Sequence, residues 1–417
     1  MNVATWIARR LQLRGSQHNG SSTTGIVIAV AAVGLALMIM ELTLGIVAGF
    51  KRDITERVMG FDGQVSVCPA YDYETGETQP YISTDSALIR AISTVLPETQ
   101  TSVKLNIPGI LKTATDFAGI YFIGHDEPYT FSFERKAIVS GTLPDMHGRE
   151  PEIALSRVTA TALGIQAGDK IDACFFINGA IRSRRFTISG IYDTGFGDYD
   201  RNVAFIPITT LRHVASVDSC SGTQIDISGL DEAVIPTAAE TLQQLLVTRY
   251  QSGEIAELYP VNNVLTGSGA AYFGWLRLLD TNVVVIFILM LCVAGFTLVA
   301  SMIIIVIERI PAIGLLRAIG ASRSMIRHIF VNLSMRILLP GMVVGNVLGL
   351  GLLLLQQHYN LIGLDPDTYY LNSVPVYIHW WWMLALNLGV LLVCRLVLLV
   401  PASVASSVSP SSIIRYE

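Results

Sequence analysis

Hydrophobic residues in this chain gather into four long runs. Val283–Ile307 is 25 residues without a charge, and as a helix it is long enough to cross a bilayer core of about 30 Å. Ile337–Leu355 and Trp380–Cys394 are also uncharged, and Gly25–Ala48 is broken only by Glu41. The pattern predicts an α-helical membrane protein with four transmembrane helices. The first run is long and passes directly into GFKRDITERVMG, without the small-residue cleavage site of a signal peptide, so it is read as a retained span.

Between the first and second runs the pattern changes period. QVSVCP, GIYFIG, EIALS, DACFFI, RRFTISGIY, NVAFIPI and TQIDIS are short and β-rich, as strands require. STDSALIRAISTVL, SRVTATALGI and DEAVIPTAAETLQQLLVTRY have helical spacing, the last with a break expected near Pro236. This is a large α+β extracytoplasmic domain inserted between the first and second helices, long enough for two subdomains. The expected organisation is an interfacial helix at 1–20, transmembrane helices at 21–50, 276–307, 331–357 and 380–401, and the α+β domain at 51–275. A connection occupies 308–330, a short loop 358–379 and a tail 402–417.

Composition agrees with the pattern. At 51% hydrophobic and 15% charged, the 417-residue chain is too apolar for an ordinary soluble protein. A net charge of −5 predicts no nucleic-acid partner, and no Cys/His cluster has metal-site spacing. Arg9, Arg10 and Arg14 precede the first span, Arg309, Arg317, Arg323 and Arg327 lie between the second and third, and Arg415 follows the fourth, whereas Tyr359–His379 has no Lys or Arg. The positive-inside rule then puts both termini in the cytoplasm and the α+β domain across the membrane. Val3, Trp6, Ile7 and Leu11 share one helical face flanked by arginines, which suits a helix lying on the cytoplasmic membrane surface. Of the cysteines, Cys68, Cys174 and Cys220 fall in the exported part; they are either small buried hydrophobes or one disulfide with a thiol left over.

The connection ERIPAIGLLRAIGASRSMIRHIF reads as helix, sharp turn, helix. Pro311 suits a first helical turn, Gly320 supplies a left-handed end, and Ser322 can cap the helix that continues into the third span. Ile313, Leu315, Leu316 and Ile319 make this short helix apolar, which a loop serving topology alone would not need. A short helix held between two stiff spans is a mechanical handle, and it calls for a cytoplasmic partner. The chain is not itself an ATPase: none of its five lysines, Lys51, Lys104, Lys112, Lys136 and Lys170, follows a glycine, so there is no Walker A loop. No metal pair, Ser/His/Asp arrangement or paired carboxylates mark it as an enzyme of another kind.

Inside the membrane, Glu41 and Arg395 are the costly residues. Arg395 is close enough to Pro401 to snorkel. Glu41 faces an outer-leaflet opening, a second subunit, or water. Gly341, Gly345 and Gly349, and Gly45 with Gly49, are spaced for close helix packing, within the chain or between chains.

ERIPAIGLLRAIGAS resembles the coupling helix of the FtsX-like or MacB-type permeases of ABC transporters, whose pattern is close to E-R-x-x-E-I-G-x-L-R-A-x-G-A. The resemblance implies ATPase-coupling roles for Glu308, Arg309, Pro311, Ile313, Gly314, Leu315, Leu316, Arg317, Ala318 and Gly320. Ala312 departs from the pattern where many members have Glu. TWIARRLQLR matches the family's basic lead-in. Within the family, GIVAGFKRDITERVMGFDGQVSV, LGIQAGDKI and RRFTISGIYDTGFGDYDRNVAFIPI are most similar to the lipoprotein-releasing subgroup, LolC/LolE, and the likeness covers nearly the whole chain.

The resemblance implies a permease of the bacterial inner membrane, in which ATP and Mg are bound by separate cytoplasmic ABC ATPase subunits and no cofactor by this chain. Closure of those subunits moves the exported domain, and a lipoprotein is lifted from the membrane and passed to a periplasmic chaperone. The chaperone-docking loop implied by the resemblance corresponds to Phe176, Ile177, Asn178, Gly179, Ala180 and Ile181, shorter here than in the family. Four spans are few for a translocation path, so a second permease copy or a paralogue is expected. The first spans would then frame a lipid-facing cleft with Val30, Val33, Leu37, Glu41 and Leu44 as substrate contacts. The alternatives are a MacB-type efflux or export permease and an FtsX-type regulator of cell-wall hydrolases.

Overall fold

A computed structural model describes residues 20–407, apart from 73–76, 79–80, 85, 127–128, 147–149, 178, 256, 366–368, 370 and 372. The helix expected over Val3–Leu11 and the tail with Arg415 lie outside these residues. Two compact units divide the chain: 1–52 with 276–362 and 374–417, and 53–275 with 363–373.

The first unit is built on helices α1 (Gly20–Phe61) and α2 (Ala270–Glu308), whose ends at 53–61 and 270–275 belong to the second unit, and on α3 (Ile310–Ala318), α4 (Arg323–Tyr359) and α5 (Trp380–Val397). Four helices among the described residues are long and apolar enough to cross a membrane. Trp380, Trp381 and Trp382 are exposed at the start of α5, where aromatic side chains mark a membrane–water boundary. Two helices outrun their apolar runs: α1 continues through 51–61, and α2 begins at Ala270. The extension of α1 follows from Ile54, Val58 and Phe61, which keep one buried helical face after the membrane stretch ends.

Glycines set the spacing of α1 and α4. A Cβ on Gly345 would lie 2.7 Å from the Gly34 carbonyl oxygen, and one on Gly341 2.9 Å from that of Val30. The Gly341–Gly345–Gly349 stripe therefore receives the chain's own α1. Val33, Leu37 and Met40 are buried in the same cluster as Leu338, Leu298 and Val390.

Apart from two two-stranded sheets, the second unit is built around one ten-stranded sheet. Its strands are β1 (Val65–Val67), β2 (Gln100–Lys112), β3 (Phe117–His125), β4 (Ile138–Gly141), β5 (Glu152–Ser156), β6 (Lys170–Ile177), β7 (Ala180–Tyr192), β8 (Val203–Phe205), β9 (Gln224–Ser228) and β10 (Val261–Asn263). They run in the order β10-β1-β9-β2-β3-β8-β5-β7-β4, and β6 pairs with both β7 and β2. Those last pairings close β2, β3, β8, β5, β7 and β6 into a ring. Phe122, Phe175 and Phe186 are wholly buried in its core. At Gly109, where β2 pairs with β3 and β6 together, a Cβ would fall 2.6 Å from the Cys174 carbonyl oxygen.

Sequence patterning missed β2, β4 and β10. β2 alternates weakly because its residues Val103, Lys104 and Leu105 are all buried. The helix expected to break near Pro236 instead begins there, at Ile235, with the proline in its first turn. All five cysteines are free; Cys68 and Cys174 are half-buried and Cys220 is exposed.

Candidate functional site

The segment between α2 and α4 has the geometry of a handle. Pro311 sits in the first turn of α3, Gly320 takes a φ of +99°, and the Ala321 N–H closes on the Leu316 carbonyl at 2.9 Å. The Ser322 hydroxyl then accepts from the Met325 N–H at 3.2 Å and starts α4. The expected apolar set divides. Ile313 and Gly314 are buried, Ile313 within the chain's own helical core. Leu315 and Ile319 are 65% and 76% exposed and form the apolar outer face, with Leu316 half-buried beside them.

Glu41 is fully buried among the chain's own helices. Its Oε1 accepts from Asn387 Nδ2 at 3.3 Å, while Asn346 and Asn387 bond each other at 2.7 and 3.0 Å. One polar cluster thus ties α1, α4 and α5 together. Glu41 Oε2 has no hydrogen-bond partner among the described residues and lies against Gly349. Val33 and Leu37 are buried between helices and do not face lipid in this chain; Val30 and Leu44 are half-buried. The exposed face of α1 is Val27, Ile28, Ala31 and Leu35. Of the residues expected in the cleft, Val33 and Leu37 thus lie on a packing face of α1, because both faces of a span are apolar and periodicity cannot separate them.

The expected docking loop is the tip of the β6–β7 hairpin, and most of it is strand. Ile177 pairs with Ala180 and Phe176 with Ile181 across a turn through Gly179 at φ +75°; Asn178 lies outside the described residues. Ile177 is buried, whereas Phe176 and Ile181 are exposed. With Ile110 and Phe117 they border an open hollow of about 440 Å³.

A further constellation surrounds the carboxyl end of α1. Lys104 Nζ on β2 is 2.9 Å from Asp62, 3.9 Å from Asp226 and 3.4 Å from the Phe61 carbonyl. The Tyr199 hydroxyl donates to the other Asp62 oxygen. Burial works against the Lys104 ammonium, but Asp62 and Asp226 outweigh it and hold its pKa above the ordinary value. Burial raises Asp226 despite Lys104. It also opposes the Asp62 carboxylate, which Lys104 and Tyr199 nevertheless hold low. Alongside, the Tyr129 hydroxyl lies 3.0 Å from the Gly60 carbonyl and 2.8 Å from Glu134 Oε1. Burial pushes Glu134 up to about 7 against the opposing effects of its hydrogen bonds and Lys104, and together with the Lys104 charge it pushes His125 well below its usual range. A lysine amid the apolar SVKLNI was the available sequence signal for this cluster, as Asn346 and Asn387 inside apolar runs were for the other.

Comparisons with known proteins bear on both units. The MacB-like periplasmic core domain family matches residues 22–245, and the FtsX-like permease C-terminal family matches residues 284–410. Over 97% of both chains, this chain is 21% identical to the lipoprotein-releasing system transmembrane protein LolC of Xylella fastidiosa (strain 9a5c). It is 23% identical to the lipoprotein-releasing system transmembrane protein LolE of Haemophilus influenzae (strain ATCC 51907 / DSM 11121 / KW20 / Rd) over 99% of both. The crystal structure of the periplasmic region of MacB from Actinobacillus actinomycetemcomitans aligns with 52% of this chain and 97% of its own at 15% identity. The TM-score of that alignment is 0.34.

Proposed function

We propose, from the premise that this chain belongs to the FtsX/MacB-type permeases of ABC transporters, that it is the permease of a lipoprotein-releasing system. The observation that carries the reading is likeness to LolC and LolE proteins from end to end, not over the shared family domains alone. Lipid-anchored cargo is lifted from the outer leaflet of the bacterial inner membrane, and both termini are cytoplasmic, in keeping with the arginine distribution.

Work enters through a separate cytoplasmic ATPase, which holds ATP and Mg. Leu315 and Ile319 on the outer face of α3 are its contacts, a small apolar pair on a helix fixed at both ends by short turns. Because α3 is joined directly to α2 and α4, displacement of the handle moves both spans. A second permease, identical or related, completes the assembly. The exposed stripe Val27, Ile28, Ala31 and Leu35 is the face of α1 left for acyl chains. The hairpin residues Phe176 and Ile181 offer a soluble chaperone an apolar tip.

The test is reconstitution with the ATPase in liposomes carrying a lipoprotein, with ATP and a periplasmic extract added. Release of lipoprotein into the soluble fraction only with ATP is the expected result. ATP turnover without release across several cargoes would overturn it in favour of efflux or transmembrane signalling.

A further inference from the structure

We propose that Lys104 is a positioning residue that locks the carboxyl end of α1 into the sheet unit, so that any movement of that helix end is delivered to the sheet without slack. The use of this lock in release rests on the function proposed above; the lock itself does not.

A helix normally ends with its last carbonyls unsatisfied, and they turn to water or to a glycine-based turn. The end of α1 is instead enclosed. The Phe61 carbonyl faces Lys104 Nζ at 3.4 Å, and the Gly60 carbonyl faces the Tyr129 hydroxyl at 3.0 Å. Both are donors placed where the helix carries partial negative charge. The Phe61 ring stacks on Tyr199 at 4.2 Å and meets Phe133 edge-on at 5.2 Å. Backbone and side chains approach closely at two points: a Cβ on Gly60 would lie 2.7 Å from the Phe133 ring, and one on Gly63 2.6 Å from the Asp226 Cβ. Three residues after the helix end, the Gln64 amide exchanges hydrogen bonds with the Leu230 backbone at 2.6 and 2.5 Å.

Among these contacts Lys104 is the one whose loss changes the sign of the site. It is the cation facing both Asp62 and Asp226, and its side chain is 5% exposed. Without it, two buried carboxylates confront each other beside the negative end of a helix. Its strand, β2, pairs with β9, β3 and β6, so an attachment at Lys104 reaches the closed ring and the open half of the sheet together. A lysine on an edge strand would hold the helix equally well and transmit less.

Hydrogen exchange on the full-length chain in lipid nanodiscs decides the matter. In Lys104→Met, amides of residues 57–64 are expected to lose at least tenfold in protection while β5 and β7 keep theirs. Tyr199→Phe is expected to give a smaller loss at the same amides. Arg185→Met, which breaks the exposed ion pair to Asp172 at 2.7 Å, is expected to leave them unchanged. Unchanged protection at 57–64 in Lys104→Met would overturn the proposal. So would an equal loss across the whole sheet, which would make Lys104 an ordinary stabilising residue. If Lys104→Met does not fold, Asp62→Asn is read by the same two criteria. Failure of the native chain to release lipoprotein would count against the function and leave the exchange result standing.

Discussion

Raising the pH through neutrality should weaken the sheet unit around the end of α1, and Glu134 should be the reason. Its carboxyl is 1% exposed, and its Oε2 has no hydrogen-bond partner among the described residues. Tyr129 has one hydroxyl proton and two neighbours, the Gly60 carbonyl and Glu134 Oε1. Both contacts are satisfied only when Glu134 carries a proton and donates it to Tyr129, which then donates to Gly60. Ionisation leaves two acceptors competing for one proton.

Displacement of the Glu134 pKa from 4.5 to about 7 corresponds to about 3 kcal/mol. The folded-state pKa is raised, so this stability is fully present below about 4.5 and is lost as pH rises through about 7. About 1.4 kcal/mol of the loss falls between pH 6 and 8.5, equivalent to roughly tenfold in an opening equilibrium. His125 acts in the opposite direction: its pKa is depressed by burial and by Lys104, so its contribution is present above 6.5 and lost as pH falls. Above 6.5 the Glu134 slope therefore stands clear of His125. Native-state hydrogen exchange at β2 amides, corrected for intrinsic rates, reads it directly. The native chain should lose about tenfold in protection from pH 6 to 8.5, and Glu134→Gln should lose none of it. An equal loss in Glu134→Gln, or a flat native profile, would refute the reasoning.

Leu315→Asp should remove the ATPase from the purified complex, since it puts a charge on the exposed apolar face of α3; undiminished co-purification and ATP turnover would argue against that face. Gly345→Val should destabilise the bundle by about 1–3 kcal/mol, because its Cβ meets the Gly34 carbonyl at 2.7 Å. Gly351→Ala on the same helix, with nothing within 4 Å of the added carbon, should be neutral or stabilising by up to about 1 kcal/mol; thermal unfolding in detergent distinguishes the two, and equal behaviour would discredit the glycine argument. Asn387→Leu should cost about 1–3 kcal/mol by stripping Glu41 of its donor. Adding Glu41→Leu should recover part of that loss in the same melt, and a purely additive double variant would mean the two side chains do not interact.

The four apolar helices, the α+β class of the second unit and the turn at Gly320 were legible in the sequence because each depends on local chemistry. A run of apolar residues longer than the bilayer is thick has few alternatives to a helix. Pro311, Gly320 and Ser322 each act on the backbone within a turn of themselves. The alternation in β6 and β7 likewise states which side chains point inward, whatever those strands pair with.

Which apolar face of a span packs and which meets lipid was decided only by tertiary structure, since lipid and protein interior attract the same residues and leave no contrast along the chain. Val33 and Leu37 were thus placed in a cleft when they lie against Gly341 and Gly345. The same holds for Ile313, buried while its neighbour Leu315 is exposed. Long-range polar clusters were also invisible: Lys104 meets Asp62 and Asp226, and Glu41 meets Asn387, across separations that no periodicity encodes. Residue types along the chain state what each segment needs, burial or a partner, but the partner is supplied by whichever distant segment the fold brings within about 3 Å.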